Sequence, residues 1–321
     1  MSGAGGSAAP PDDLLQPFRL GRQRLRGQHV RLGAPAHTIL SQADYPRPVA
    51  TLLGELLALS VVLGGSLKYD GVFTAHARGE GAVRTLVADL TSDGALRGYA
   101  SYDRAAVEGL TGPIERDLVP RLLGAGHLAF TVDQGPDTER YQGIVELEGA
   151  SLSACAHTYF RRSEQIASAI KLAAGLVDGQ WRAGALMLQR VPGEGGFDVD
   201  DVADDDDGDE NDDRDADPDE DWRRAVILMS SVSDAELLAP LMGSERLLYR
   251  LFHEEGAHLF RPRMLHFACR CSRERVVNVL RSMPRDEIET MKIDGQVIVT
   301  CQFCHRSESF DDQALDALYA A

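Results

Sequence analysis

The chain has 321 residues, 44% of them apolar, and a formal net charge of −17. That length is a prior for two domains, and the apolar share suffices for at least one packed core. No apolar run approaches the roughly eighteen residues that span a bilayer, and nothing in the charge pattern suggests a nucleic-acid surface, which should be basic.

Residues 1–13, MSGAGGSAAPPDD, carry no basic region and no apolar stretch. They read as a disordered lead-in rather than a signal peptide, which places the protein in a reducing cytoplasm. There, clustered cysteines mean metal binding or redox chemistry more often than structural disulfides. Arg19, Arg22, Arg24, Arg26 and Arg31 form the one basic cluster. Arg22, Arg24 and Arg26 share parity, so on a strand they line one face, read as solvated rather than as a polyanion site.

Residues 14–193 read as one α+β domain. Pro46 and Pro48 suit the first turn of a helix from about 46 to 63, and Leu52, Leu53, Leu56, Leu57 and Leu59 give it helical apolar spacing. Short strands follow in DGVFTAHARG, AVRTLVADL and ALRGYASYD, the last two joined by a turn ending in Asp93-Gly94. HLAFTVDQ and RYQGIVELEG form a second hairpin through Gly135-Pro136. A long helix is predicted from Leu152 to Ala174, with Ser151 as its cap, and ALMLQRV as a closing strand. Strands first and a helix after, with tight antiparallel turns, argue for an α/β sandwich-like arrangement, not a doubly wound sheet.

Residues 194–221 form an acidic insert. Sixteen Asp and Glu fall within 198–221 against one Arg, which leaves the rest of the chain near neutral. So many like charges cannot collapse, and the segment reads as a flexible solvated loop. A helical linker is predicted over 222–262, with helices near 222–231, 234–242 and 244–254. Leu237, Leu238, Leu241, Leu248, Leu251 and Phe252 make an apolar stripe on it. The stripe packs on the first domain, or it is a sticky face uncovered on a signal; periodicity alone leaves both open.

The last segment, 263–321, is a module too small to be held by its core alone. Helices are predicted at 273–283, 285–292 and 312–320, and a strand at 296–300. Four of the five cysteines fall here, Cys269 and Cys271 as one pair, Cys301 and Cys304 as the other. Two pairs separated by a helix-containing loop fit a tetrahedral zinc site of four thiolates, against the alternative of four merely buried cysteines. Arg270, Arg273 and Arg275, and a helix N-terminus at Ser272, favour ionised sulfur there. Structural zinc in small peptides is worth about 10–16 kcal/mol, as much as a whole domain's stability of about 5–15 kcal/mol. Losing the metal should therefore unfold the module. These are the parts of an oxidation-triggered switch, although most zinc knuckles are only structural.

HEEGAH at 253–258 is not a metalloprotease motif, because its histidines are five apart where the helix geometry needs four. Cys155 reads as a small buried hydrophobe. No nucleophile–base pair or open metal position is identifiable, so an enzyme is not expected.

The residues match a known pattern. ADYPRPV (43–49), LKYDG (67–71), LRGYA (96–100), ERYQGIVELEG (139–149), YFRRSEQI (159–166), LYRLFHEEG (248–256), and above all CRCSRER with CQFC, make the chain resemble the heat shock protein 33 family. These are redox-regulated, ATP-independent holdase chaperones of bacteria. The resemblance implies one zinc on Cys269, Cys271, Cys301 and Cys304 in a reduced, inactive state. It implies that oxidation expels the zinc, forms the disulfides Cys269–Cys271 and Cys301–Cys304, and loosens the linker. The protein then dimerises and holds unfolded client proteins. Two departures stand out. His305 occupies a position where the family usually has Gly, so a left-handed turn there would be strained, and the imidazole could compete as a ligand. The acidic insert is also longer than expected. A constitutive, zinc-stabilised adaptor with purely structural cysteines is the competing reading.

Overall fold

The structure, a computed structural model, describes residues 10–21, 25–112, 117–135, 138, 140–190 and 218–319. The expected lead-in up to residue 9, most of the acidic insert, and Arg22 and Arg24 lie outside the described residues.

Strands β1 (Leu14–Leu20) and β2 (Leu25–Leu32) lead through the short helix α1 (Ala34–Ser41) into α2 (Arg47–Gly64). A meander follows: β3 (Val72–Gly79), β4 (Val83–Thr91) and β5 (Ala95–Tyr102). After α3 (Arg104–Glu108) come β6 (Gly126–Asp133) and β7 (Tyr141–Glu146), then α4 (Leu152–Tyr159), β8 (Ser168–Val177) and β9 (Gln180–Arg190). The predicted hairpins β4–β5 and β6–β7 form as antiparallel pairs.

The predicted long helix at 152–174 is a misreading. Its first half is α4, capped by Ser151 on the Ala154 amide, and a wider helical turn carries it to Glu164. Gln165 then turns left-handed at φ 54, and Ser168 starts a strand. Ala and Leu favour helix locally, but ten residues of antiparallel pairing with β9 override that preference.

Two sheets enclose α2. One runs β1-β2-β9-β8 and the other β5-β4-β3-β6-β7, and short C-terminal strands extend each at one edge. Helix α2 packs on β2, β8 and β9 on one side and on β3, β4 and β5 on the other. This explains a helix apolar all round: 78% of its 18-residue span is buried, and it is a core helix. Gly54 lets it approach closely, since a Cβ there would lie 2.6 Å from the Ala174 methyl.

The first sheet is buried on both faces. Val30, Leu32, Ala183, Ala185 and Met187 point at α2, while Phe18, Leu20, Leu25, Leu186 and Leu188 point outward. That outward face is covered by α5 (Pro218–Ser230), α6 (Asp234–Leu238) and α7 (Ser244–Phe252) through Ala225, Met229, Leu237, Leu247, Leu248, Leu251 and Phe252. Phe18 and Phe252 stack at 5.9 Å. Leu241 of the predicted stripe stands apart, 72% exposed. Helix α5 starts at Pro218, inside the charge run assigned to the insert.

Polar residues of the same face fasten the α6–α7 turn. Arg31 is 1% exposed and donates to the carbonyls of Ala239, Pro240 and Met242. Arg182 donates to Leu238 O at 2.7 Å. Asp12 bridges both arginines, at 2.6 Å to Arg182 and 3.2 Å to Arg31. His29 is buried beside them, with Nδ1 2.9 Å from Ser244 Oγ. Arg31 is therefore no part of a solvated basic face. Arg26 also turns inward, donating to Gln189 Oε1 at 2.9 and 3.1 Å.

The chain then stitches itself to both sheets. Strands β10 (Ala257–Leu259) and β11 (Arg263–Met264) pair with β1, and β12 (His266–Phe267) runs parallel to β5. Helices α8 (Arg273–Arg281) and α9 (Arg285–Thr290), the hairpin β13 (Val297–Thr300)–β14 (Ser307–Phe310), and α10 (Asp312–Tyr319) complete it. Their shared core is small: Leu280, Ile288, Val297, Phe310 and Leu315.

Candidate metal centre

Cys269 and Cys271 lie between β12 and α8. Ser272 caps α8 by accepting from the Arg275 amide at 3.3 Å, which fixes the chain's exit from the first cysteine pair. Cys301 and Cys304 sit at the tip of the β13–β14 hairpin. There the Cys301 amide donates to Arg306 O and the His305 amide to Cys301 O, both at 2.9 Å. His305 is left-handed at φ 54, the strained turn that the sequence foresaw.

The tertiary structure brings all four sulfurs together within 4.8 Å of one another. The closest approaches cross between the loops: Cys269 to Cys301 at 3.7 Å and Cys271 to Cys304 at 3.4 Å. Zinc–thiolate bonds of about 2.3 Å in a tetrahedron put sulfurs about 3.8 Å apart, a spacing inside the range found here, so the cluster is compatible with that ion. Among the described residues, no histidine or carboxylate joins this cluster, and His305 is not part of it. The site can hold a metal ion.

The electrostatics within the metal-free cluster are uneven. Burial raises the Cys269 thiol, but the Cys271 backbone and the neighbouring thiols outweigh it and bring the value down to about 7. Burial and the Cys304 and Cys269 sulfurs push Cys271 up to about 12, and burial raises Cys304. Cys269 is thus more readily ionised than Cys271 or Cys304, and the neighbouring thiols hydrogen-bond it. The flanking arginines have partners of their own: Arg273 pairs with Glu308 at 2.7 Å, and Arg275 donates to Arg270 O at 2.8 Å.

Sequence reasoning missed what lies under the cluster. Arg270, between the first two cysteines, pairs with Asp89 of β4 at 2.6 Å. Phe303, between the second two, meets Tyr99 of β5 edge-on at 4.8 Å, with the Arg97 guanidinium 3.8 Å from its ring centroid. An acid inside the apolar run LVADL was the one available signal. Cys155, by contrast, is buried in the main core as expected, its thiol raised by burial to about 11.

The chain matches the family described as Hsp33 protein over residues 13–311. The chain belongs to the Hsp33 family. A relative from Caulobacter vibrioides named 33 kDa chaperonin is 36% identical over 305 residues, covering 94% of this chain and 95% of the relative. One of the same name from Pseudomonas fluorescens is 35% identical, over 97% of this chain and 95% of its own. The crystal structure of the 33 kDa chaperonin from Thermotoga maritima superposes with a TM-score of 0.77 at 20% identity, covering 97% of this chain and 98% of that one. The α+β fold is thus the fold of that Hsp33 structure, this chain carries a C-terminal cysteine cluster that could hold a metal, and membership supports a chaperone role.

Proposed function

We propose that this Hsp33 chain is a redox-regulated, ATP-independent holdase of the cytoplasm, closed when reduced and opened by oxidation. The observation that carries this reading is the convergence of four sulfurs from two loops into one cage, in a module whose own core has five buried residues. Zinc, when bound by Cys269, Cys271, Cys301 and Cys304, would supply the cross-link that so small a core lacks. In this reading residues 14–193 are the client-holding body, 222–262 the linker and 263–321 the switch.

The oxidant is a peroxide. The thiolate of Cys269 attacks one peroxide oxygen and the O–O bond breaks, giving a sulfenic acid and, after protonation, water. The Cys271 thiol then displaces the second oxygen as water and closes the disulfide. Cys301 and Cys304 do the same with a second peroxide. Each pair of thiols gives up two electrons and two protons in forming its disulfide, and each peroxide leaves as two waters. Sulfurs in disulfides no longer serve as thiolate ligands, so the cage opens. Undocking of α5–α7 then uncovers Phe18, Leu20, Leu186 and Leu188, an apolar face suited to unfolded clients and to a second copy of the chain.

The test is light scattering of a heat-unfolding client protein. Peroxide-treated chain at elevated temperature should suppress aggregation, and reduced, zinc-loaded chain should not. Equal behaviour of the two samples would reject redox gating and leave the cluster as a structural staple.

A further inference from the structure

The first cysteine loop pairs with a carboxylate of the neighbouring sheet, Asp89, and the second reaches the same carboxylate through Arg97. Asp89 lies in the middle of β4 and is 5% exposed. Its Oδ1 accepts from Thr74 Oγ1 at 2.7 Å, which fixes its orientation. Its Oδ2 accepts from Arg270 Nη2 at 2.6 Å and from Arg97 Nε at 2.8 Å. Asp89 and Arg97 are register partners on β4 and β5. Arg97 carries the connection onward to the Phe303 ring, which Tyr99 meets edge-on. The backbone reinforces the seat, with the Ala268 amide donating to Leu96 O at 3.2 Å.

The seat touches the one residue between Cys269 and Cys271, and one of the two between Cys301 and Cys304. It does not touch the module's own core of Leu280, Ile288, Val297, Phe310 and Leu315. Its effect therefore falls on how the two loops face each other, not on whether the module folds. The Coulombic part is strong because Asp89 is nearly dry and takes two guanidinium groups at once.

We propose that Asp89 is a positioning residue for the cysteine cluster, holding Arg270 and Arg97 so that both loops stay seated on β4 and β5. Opening of the cage and undocking of the module are then one coupled event. Because the loops must part for the metal to leave, whatever loosens the seat speeds metal loss; by linkage, whatever weakens metal binding loosens the seat. The metal part of this inference rests on the reading under Proposed function; the seat itself does not.

The test uses the full-length reduced chain and two readouts. The first is zinc transfer to a chromophoric chelator. The second is amide exchange at 266–271 and 300–306, compared with α8 and with β6. Asp89→Asn keeps the shape and removes the charge. It should release zinc about tenfold faster and raise exchange in the two loops while leaving β6 protected. Arg270→Gln should do much the same, and the double variant should be no faster than the faster single, because each breaks the same pairing. Should Asp89→Asn disturb the whole sandwich, Phe303→Ala acts from the loop side alone and should still raise loop exchange and zinc release. Unchanged loop exchange in Arg270→Gln and Phe303→Ala would overturn the seat. Raised loop exchange with unchanged zinc release would overturn the coupling. A wild-type chain that binds no zinc would overturn the metal reading, and loop exchange alone would then support or overturn the seat.

Discussion

Phe252→Ala isolates the linker from the rest of the fold. Phe252 is fully buried at the end of α7 and stacks on Phe18 of β1. Its contacts lie in the outer cluster of the first sheet and not in the core around α2. Truncating a buried Phe costs about 3–5 kcal/mol from lost transfer energy and the cavity left behind. If that cost falls on the linker alone, the population with α5–α7 undocked rises by about two to three and a half orders of magnitude. Native-state amide exchange reads this directly. Protection over 218–252 should fall by that factor, while β3, β4 and α2 keep theirs. The reduced variant should also bind a hydrophobic dye and suppress client aggregation without peroxide. A uniform loss of protection across both sheets would refute the reasoning, because the linker would then not open as its own unit.

Removing zinc with a strong chelator under reducing conditions should abolish exchange protection over 269–311 while β3–β6 stay protected. His305→Gly should stabilise the module by about 0.5–1 kcal/mol through relief of its left-handed φ, read as a higher thermal midpoint of the zinc-bound chain. His305→Ala should leave zinc stoichiometry unchanged, because the imidazole is outside the sulfur cage. Asp12→Asn should leave Arg31 and Arg182 without their shared carboxylate and raise amide exchange around 238–242. Glu55 on α2 is raised to about 8 by burial and by Asp234. The stability of its neutral form is fully present below the unfolded value near 4.5 and is lost as pH rises through about 8. Glu55→Gln should accordingly change the urea midpoint little at pH 4 and raise it increasingly from pH 5 to pH 9.

Local pattern was enough wherever local chemistry and tertiary contacts agree. Helix α2 was legible from its prolines and leucines, and the β4–β5 and β6–β7 hairpins from their alternation and turns. The clustering of the four cysteines was legible from their spacing, and the structure brings their sulfurs into one group that could hold a metal ion. Where the two disagree, pattern misled. Strand β8 carries helix-forming Ala and Leu and is extended only because β9 pairs with it. Strand β2, LRGQHVRL, looks solvated, yet His29 and Arg31 are buried because the α6–α7 turn supplies their hydrogen-bond partners from about 210 residues away.

The sequence by itself thus determined the four clustered cysteines and an apolar linker with two open fates. Each follows from chemistry within a few residues or from the count and spacing of one residue type. Only the tertiary structure decided which face the linker covers, and that Arg270 between the first two cysteines pairs with Asp89 of β4. Those depend on charges and apolar surfaces far apart in the chain, whose meeting no local pattern encodes.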